Sequence, residues 1–356
     1  MKITDLLWVL TAVLLMLAGI PGKAAVPVNI YSGEVAVEDQ SEASRNKAVG
    51  QAFDQVLAKL SGRRQLTGAA GVGKFRADAD RYLQGYGYQR YQVAISPGRQ
   101  YEQLRLVASF DQQYMDRVLR ELRLPRWSPD RPDFQLWVAV DELGDRSLLG
   151  KDEAYLRFVI NDSARRRGFP LEIGVASQEG PTARLQDIWG GFVDGPMKIA
   201  RAGGFQGVGL VAAQARAGAW EVRWNLAAGA DRWSFRSRGA SLADAFSAGV
   251  HRAADEVAAG YVIAATAQGQ WTENIDVINL AGAQDYTRCI NYLQSLSLVS
   301  RLEVVEAQAA RVRFRLDLNA APDYLYDRLR RNQVLNSLGS QLPGAARTFE
   351  LSRQPQ

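Results

Sequence analysis

The chain has one cysteine and one histidine in 356 residues. A single cysteine, Cys289, forbids an intramolecular disulfide, so stability has to come from packed cores. It sits in an amphipathic stretch, residues 285–293, and reads as a small buried apolar side chain rather than a reactive thiol. A single histidine, His251, leaves no histidine-rich metal site and one candidate for a Ser-His-Asp triad. It follows the apolar Val250 in a helical pattern and reads as a flank residue, not as a proton carrier.

Charge of one sign is also lacking. Lys and Arg total 43 against 38 Asp and Glu, a net charge of +5, and the basic residues are dispersed. That distribution suits weak attraction to anionic surfaces but predicts no nucleic-acid partner. The densest run, Arg165-Arg166-Arg167, ends a predicted helix and reads as a solvated terminus whose charges offset the helix dipole.

Long apolar runs are absent with one exception. Residues 6–20 are almost uninterrupted, Pro21-Gly22 break the run, and Lys2 precedes it. This is the layout of a secretory leader, too short for the ~20 residues of a spanning helix. Small residues Ala24 and Ala25 mark the expected cut, after Ala24, since a cut after Ala25 would place Lys23 three positions before it. The cut leaves 41 basic and 37 acidic residues, a charge of +4. The expectation is a protein exported to the periplasm with no stable membrane span. An uncleaved inner-membrane anchor is the alternative.

Several motifs approach known chemistry and miss. Residues 68–74 match a phosphate-binding loop, but the eighth position, which needs a hydroxyl for magnesium, is Phe75. The glycines at 203, 204, 207 and 209 precede a strand, whereas a dinucleotide fingerprint follows one, so they read as a helix end and turn. The acid pairs Asp141-Glu142 and Asp152-Glu153 are adjacent, and adjacent side chains diverge on a strand or helix. No cofactor, metal or catalytic residue is expected.

What the chain has is periodicity. A strand at residues 28–37, a helix ending at Ser61-Gly62 and a short helix near residues 72–83 come first. A hairpin of residues 86–95 and 102–110, turning at Pro97-Gly98, precedes a helix capped by Asp111. Residues 131–133 read as a linker. Residues 134–140 are nearly all apolar and residues 207–213 fully so, as buried central strands are. A helix at about 152–167, a short strand within residues 168–173, two helical pieces over about 182–202, a hairpin around Gly229 and a long helix after Ser241 complete that unit. A strand at 271–280, a helix, a hairpin, a helix and a strand at 347–351 follow. The expected class is α+β in three small domains after a leader at 1–24, covering residues 26–128, 132–264 and 268–353. The outer two are ferredoxin-like βαββ(αβ) units and the middle one a mixed α/β sandwich.

Two aromatic groups stand out. Tyr86, Tyr88 and Arg90 share one strand face. Assigning the Tyr91, Val93 and Ile95 face to the core leaves the Tyr-Tyr-Arg face as a candidate contact surface for a peptide or glycan. Trp220, Trp224 and Trp233 share a face of the middle hairpin and read as core.

Four segments, residues 31–37, Tyr86-Gly87-Tyr88, Leu124-Pro125-Arg126-Trp127, and Arg131-Pro132 followed by residues 135–140, resemble a bacterial family of exported proteins known as a domain of unknown function, DUF2066. The resemblance supplies no catalytic or binding residues. The middle unit is similar in element order to small α/β domains of envelope assembly proteins, a likeness of fold alone. The expected function is a non-enzymatic accessory or assembly factor with an envelope protein partner. Alternatives are a carboxylate-dependent hydrolase of an envelope polymer, and a small-ligand module with a pocket at the carboxyl ends of strands 134–140 and 207–213.

Overall fold

A computed structural model describes residues 29–64, 66, 71–96, 99–150, 152–175, 182–308, 311–338 and 346–353. The leader with Ala24 and Ala25, residues 68–70 of the glycine-rich loop, and the Pro97-Gly98 turn lie outside them. The chain is mixed α/β, with several sheets that combine antiparallel and parallel pairing.

The first sheet holds β1 (Ser32–Ala36), β2 (Leu83–Ser96) and β3 (Arg99–Phe110), in the antiparallel order β1-β3-β2. Helix α1 (Glu42–Ser61) starts where the Ser41 side chain accepts the Ser44 amide, and it ends at Gly62 in the left-handed region. Its apolar stripe, Val49, Phe53, Val56, Leu57 and Leu60, packs on one face of this sheet. The short α2 (Val72–Ala77) and a 3₁₀ turn (Ala79–Tyr82) replace the single predicted helix. Asp111 caps α3 (Gln112–Glu121) by accepting the Tyr114 amide at 2.8 Å.

β4 (Arg126–Trp127) leaves this unit and buries Trp127 in the next core. The central sheet contains β5 (Phe134–Glu142), β6 (Asp145–Leu148), β7 (Leu171–Ile173), β8 (Gly207–Arg216), β9 (Ala219–Ala228) and β10 (Asp231–Gly239). The order is β10-β9-β8-β5-β6, with β7 beside β5. β5 runs parallel to β8 and β7, and the hairpin pairs are antiparallel. β5 and β8 read as continuous apolar runs because helices cover both faces. Helices α4 (Ala154–Arg167) and α7 (Leu242–Tyr261) pack with Leu136, Val138 and Trp224 on one face. Helices α5 (Leu185–Gly190) and α6 (Asp194–Ala202) pack with Trp137, Ala139 and Leu210 on the other. Trp224 is fully buried, and Trp220 and Trp233 pack against the same cluster, as their shared face requires.

β11 (Val262–Ile263) pairs with β4. The last sheet comprises β12 (Gln268–Ile278), β13 (Val299–Gln308), β14 (Arg311–Ala320), β15 (Leu335–Ser337) and β16 (Arg347–Leu351), in the order β13-β14-β12-β16-β15. Helices α8 (Ala283–Ser295) and α9 (Pro322–Asn332) cover one face, and Cys289, on the inner side of α8, is buried in the core they form with the sheet. The element order is not the expected β-α-β-β-α-β. A short extra strand, β15, follows α9, so the last strand returns parallel to β12. The sequence missed β4, β6, β11 and β15 because two to four residues carry no periodic signal.

Candidate functional site

The residues singled out in the sequence lie on β2. This strand is fourteen residues long and pairs only with β3, so among the described residues its other edge has no strand partner. Tyr86 is 50% exposed, with the Arg45 guanidinium 5.2 Å from its ring and Tyr88 edge-on at 6.2 Å. Arg90 is exposed and paired with Glu102. A Cβ added at Gly85 or Gly87 would meet nothing within 4 Å, so the strand is open beside both.

The three residues do share a face, but it is not the free one. Tyr88 sits opposite Leu106 and Tyr86 opposite Ala108, and Leu106 and Ala108 are core residues under α1. Tyr88 therefore packs against the core, whereas Tyr86 and Arg90 extend past it. Tyr91 lies on the opposite face, with Arg105 and Arg165 at 5.0 and 5.4 Å from its ring. Alternation fixes which residues share a face but not which face meets the helices, and here each face is covered along only part of the strand.

The second face docks on α4 through charge. Arg105, 2% exposed, bonds Asp162, and its guanidinium lies 5.5 Å from the Phe158 ring. Arg165 and Arg166 converge on the same carboxylate at 2.6 and 2.8 Å, and Arg165 also reaches Glu34 at 3.2 Å. Burial pushes the Asp162 carboxyl up, but Arg166, Arg105 and Arg165 outweigh it and hold it below its ordinary value. Arg167 is buried, donating to the Gly62 and His251 carbonyls and to Asp255 at 2.6 Å. The arginine run expected to be a solvated helix end is thus an inter-unit joint.

The supposed linker is part of that joint. Arg131 is 5% exposed and donates to the carbonyls of Lys59 (2.8 Å), Gly168 (2.7 Å), Trp127 (3.1 Å) and Ser128 (3.1 Å). It lies 3.9 Å from the Trp127 ring centre. Both α1 and α4 end in left-handed glycines, Gly62 and Gly168, so the negative ends of two helices face buried arginines. A side chain at Gly62 would strike Ala258 at 2.8 Å, so a bulkier residue could not close this seam. Burial lowers Arg131 below its ordinary value, although a guanidinium stays charged at neutral pH. His251, beside this joint, is brought down to about 4, first by burial and then by Arg64 and Arg167, so its ring is neutral near pH 7.

Between the joint and the β1 edge opens a cleft of about 440 Å³. Ser32, Glu34 and Lys59 form one side, and Arg157, Asn161, Arg165, Phe169, Leu171 and Ile173 the other. Asp133 and Phe205, which precede β5 and β8, also line it, so it lies at the amino ends of those parallel strands, the opposite end from the pocket expected there. Three carboxylates line the cleft, and none is free. Glu34 is held by Arg165 and Tyr91, Asp133 accepts the Gln206 amide, and Glu172 is engaged. Among the described residues, no group of three His, Cys, Asp or Glu gathers to hold a metal, and no helix is long and apolar enough to cross a membrane.

Residues 24–128 match the family described as Domain of unknown function (DUF8605). This overturns the resemblance to DUF2066, because the match is to a different domain of unknown function. The motifs behind that resemblance are set by local packing, Tyr-Gly-Tyr on a strand edge and Pro-Arg-Trp on a buried strap, and do not discriminate families. No curated protein and no solved structure matches the chain.

Proposed function

We propose that this is an exported, non-enzymatic accessory protein that works in the periplasm by gripping an extended segment of an envelope protein along β2. The β2 edge carries the reading. It is the longest of the described strands paired on one side only, half-exposed Tyr86 stands on one of its faces, and the other face is uncrowded at Gly85 and Gly87. Strand addition draws affinity from main-chain bonds and specificity from alternate side chains. A leader cut after Ala24 would release the protein, and an uncut one would hold it at the inner membrane. On the same reading the chain forms three domains whose outer two are related ferredoxin-like units. The shared order of the first three strands supports this, β1-β3-β2 and β12-β14-β13.

A photo-crosslinking residue in place of Tyr86, compared with one in place of Gln308 at the end of β13, tests the reading in intact cells. The expected result is one envelope protein joined through a single extended segment from position 86 alone, and lost in Gly87→Lys. That substitution fits the open space and blunts the edge with charge. Equal capture from both positions, or capture indifferent to Gly87→Lys, would sink the proposal.

A further inference from the structure

The cleft at the β1 edge has a chemistry that the β2 proposal does not use. Lys59 is 3% exposed, and its ammonium donates to the Ser32 carbonyl at 2.7 Å. The nearby carboxylate, Glu34, is already shared between Arg165 at 3.2 Å and Arg105 at 3.9 Å. Arg157, across the cleft, donates to the Ile173 carbonyl at 3.2 Å and to the Gly150 carbonyl at 3.5 Å. Neither cation has a carboxylate ion pair among the described residues. A buried ammonium held by one neutral carbonyl is under-compensated, since burial of charge is costly unless it is paired. Between the two cations the wall is apolar, with Phe169, Pro170, Leu171 and Ile173 facing the same space. At about 440 Å³ the cleft falls in the size range of small-molecule sites, which combine mostly apolar walls with a few convergent polar groups.

The geometry points to a binding site for a small monoanionic amphiphile, a carboxylate with an acyl chain, whose head group bridges Lys59 and Arg157 and whose chain lies on the Phe169–Ile173 wall. The head group supplies the negative charge the two cations lack, and the chain covers apolar surface that water would otherwise touch. Because Ser32 and Lys59 come from the first unit and the wall from the central one, an occupant would touch both.

The test is calorimetric titration of the protein with dodecanoate, with dodecanol and inorganic phosphate as separate titrants. Dodecanoate is expected to bind at one site per chain, at least tenfold tighter than either of the others. Lys59→Met, which keeps the volume and removes the charge, is expected to weaken it about tenfold. Leu171→Trp, which fills the cleft from its half-exposed rim, is expected to abolish it, with the far-UV spectrum unchanged. Lys74→Met, on the exposed face of α2, is expected to leave binding unaltered. Dodecanol binding as tightly as dodecanoate would reduce the site to a greasy surface. Phosphate binding as tightly would reduce it to an ion site. Dodecanoate binding that survives Leu171→Trp would place it elsewhere. Each of these three overturns the assignment, as does the absence of dodecanoate binding. Gly87→Lys leaves this site intact, so a failure of the β2 proposal does not decide the outcome.

Discussion

The first sheet and the first three strands of the last share an order, β1-β3-β2 and β12-β14-β13, and each alternates apolar residues toward its helices with charged ones on the second face. They part company over that second face. In the first sheet, Arg105 and Glu34 end up against α4, and Arg105 is 2% exposed. In the last sheet, Arg311, Arg313 and Arg315 form a ladder along β14 that remains in solvent, with Asp276 lying beneath Arg311 and Arg313. Burial pushes the Asp276 carboxyl up, but the hydrogen bonds from Arg313 and Arg311 outweigh it and keep it below the ordinary range. The same pattern of residues therefore serves as an interface in one place and a solvated face in the other. What decides is whether a partner element presents a complementary charge, as α4 does with Asp162.

Substitutions should separate the two cases by size. The largest effect is expected from Arg131→Met, which strands the carbonyls of Lys59, Gly168, Trp127 and Ser128 inside the joint and should cost about 4 kcal/mol in urea unfolding. Arg105→Leu should cost about 3 kcal/mol, because it leaves Asp162 with less compensation in a buried place. Restoring shape with Asp162→Leu in the same chain should recover part of that loss, since a packed apolar pair can replace a buried ionic one.

Two pH effects of about 3 kcal/mol at most belong to the same joint. His251 is held near 4 when folded and titrates near 6.5 when unfolded, so the fold favours its neutral form. Its contribution is complete above pH 6.5 and is lost as pH falls toward 4, and His251→Gln should flatten that acid limb. Lys59 is brought down to about 8 by burial, against 10.5 unfolded. The unfolded chain holds the proton between those values, so wild-type stability should rise from pH 8 to 10.5 relative to Lys59→Met. A flat difference between the two proteins would show that the amine is solvated. The smallest effect is expected from Arg313→Leu in the last sheet, about 1 kcal/mol or less at low salt and smaller still in 1 M salt.

Most of the fold was legible because it rests on long periodic segments. The stripe of α1, the Asp111 and Ser241 caps and the apolar β5 and β8 all sit where their patterns place them. The joint was not legible. Arg131 looked like linker and Arg167 like a solvated helix end, because burial of an arginine depends on carbonyls brought from Lys59, Gly62 and Gly168, far away in sequence. The cleft was hidden for the same reason, with Lys59 inside a helix stripe and its opposite wall about a hundred residues later. A charged residue such as Lys59 in register with an apolar stripe was the one available signal.

The two-residue ladder between β4 and β11 also sets an order of events. Trp127 is buried only when Val262 lies beside it and the central core is in place. A chain that emerges amino end first must hold that indole in water until the whole intervening stretch has followed. Closing so long a loop costs little more entropy than closing a short one, so the delay is paid in time rather than stability. Until then the first unit keeps an open flank, with the Trp127 strap undocked.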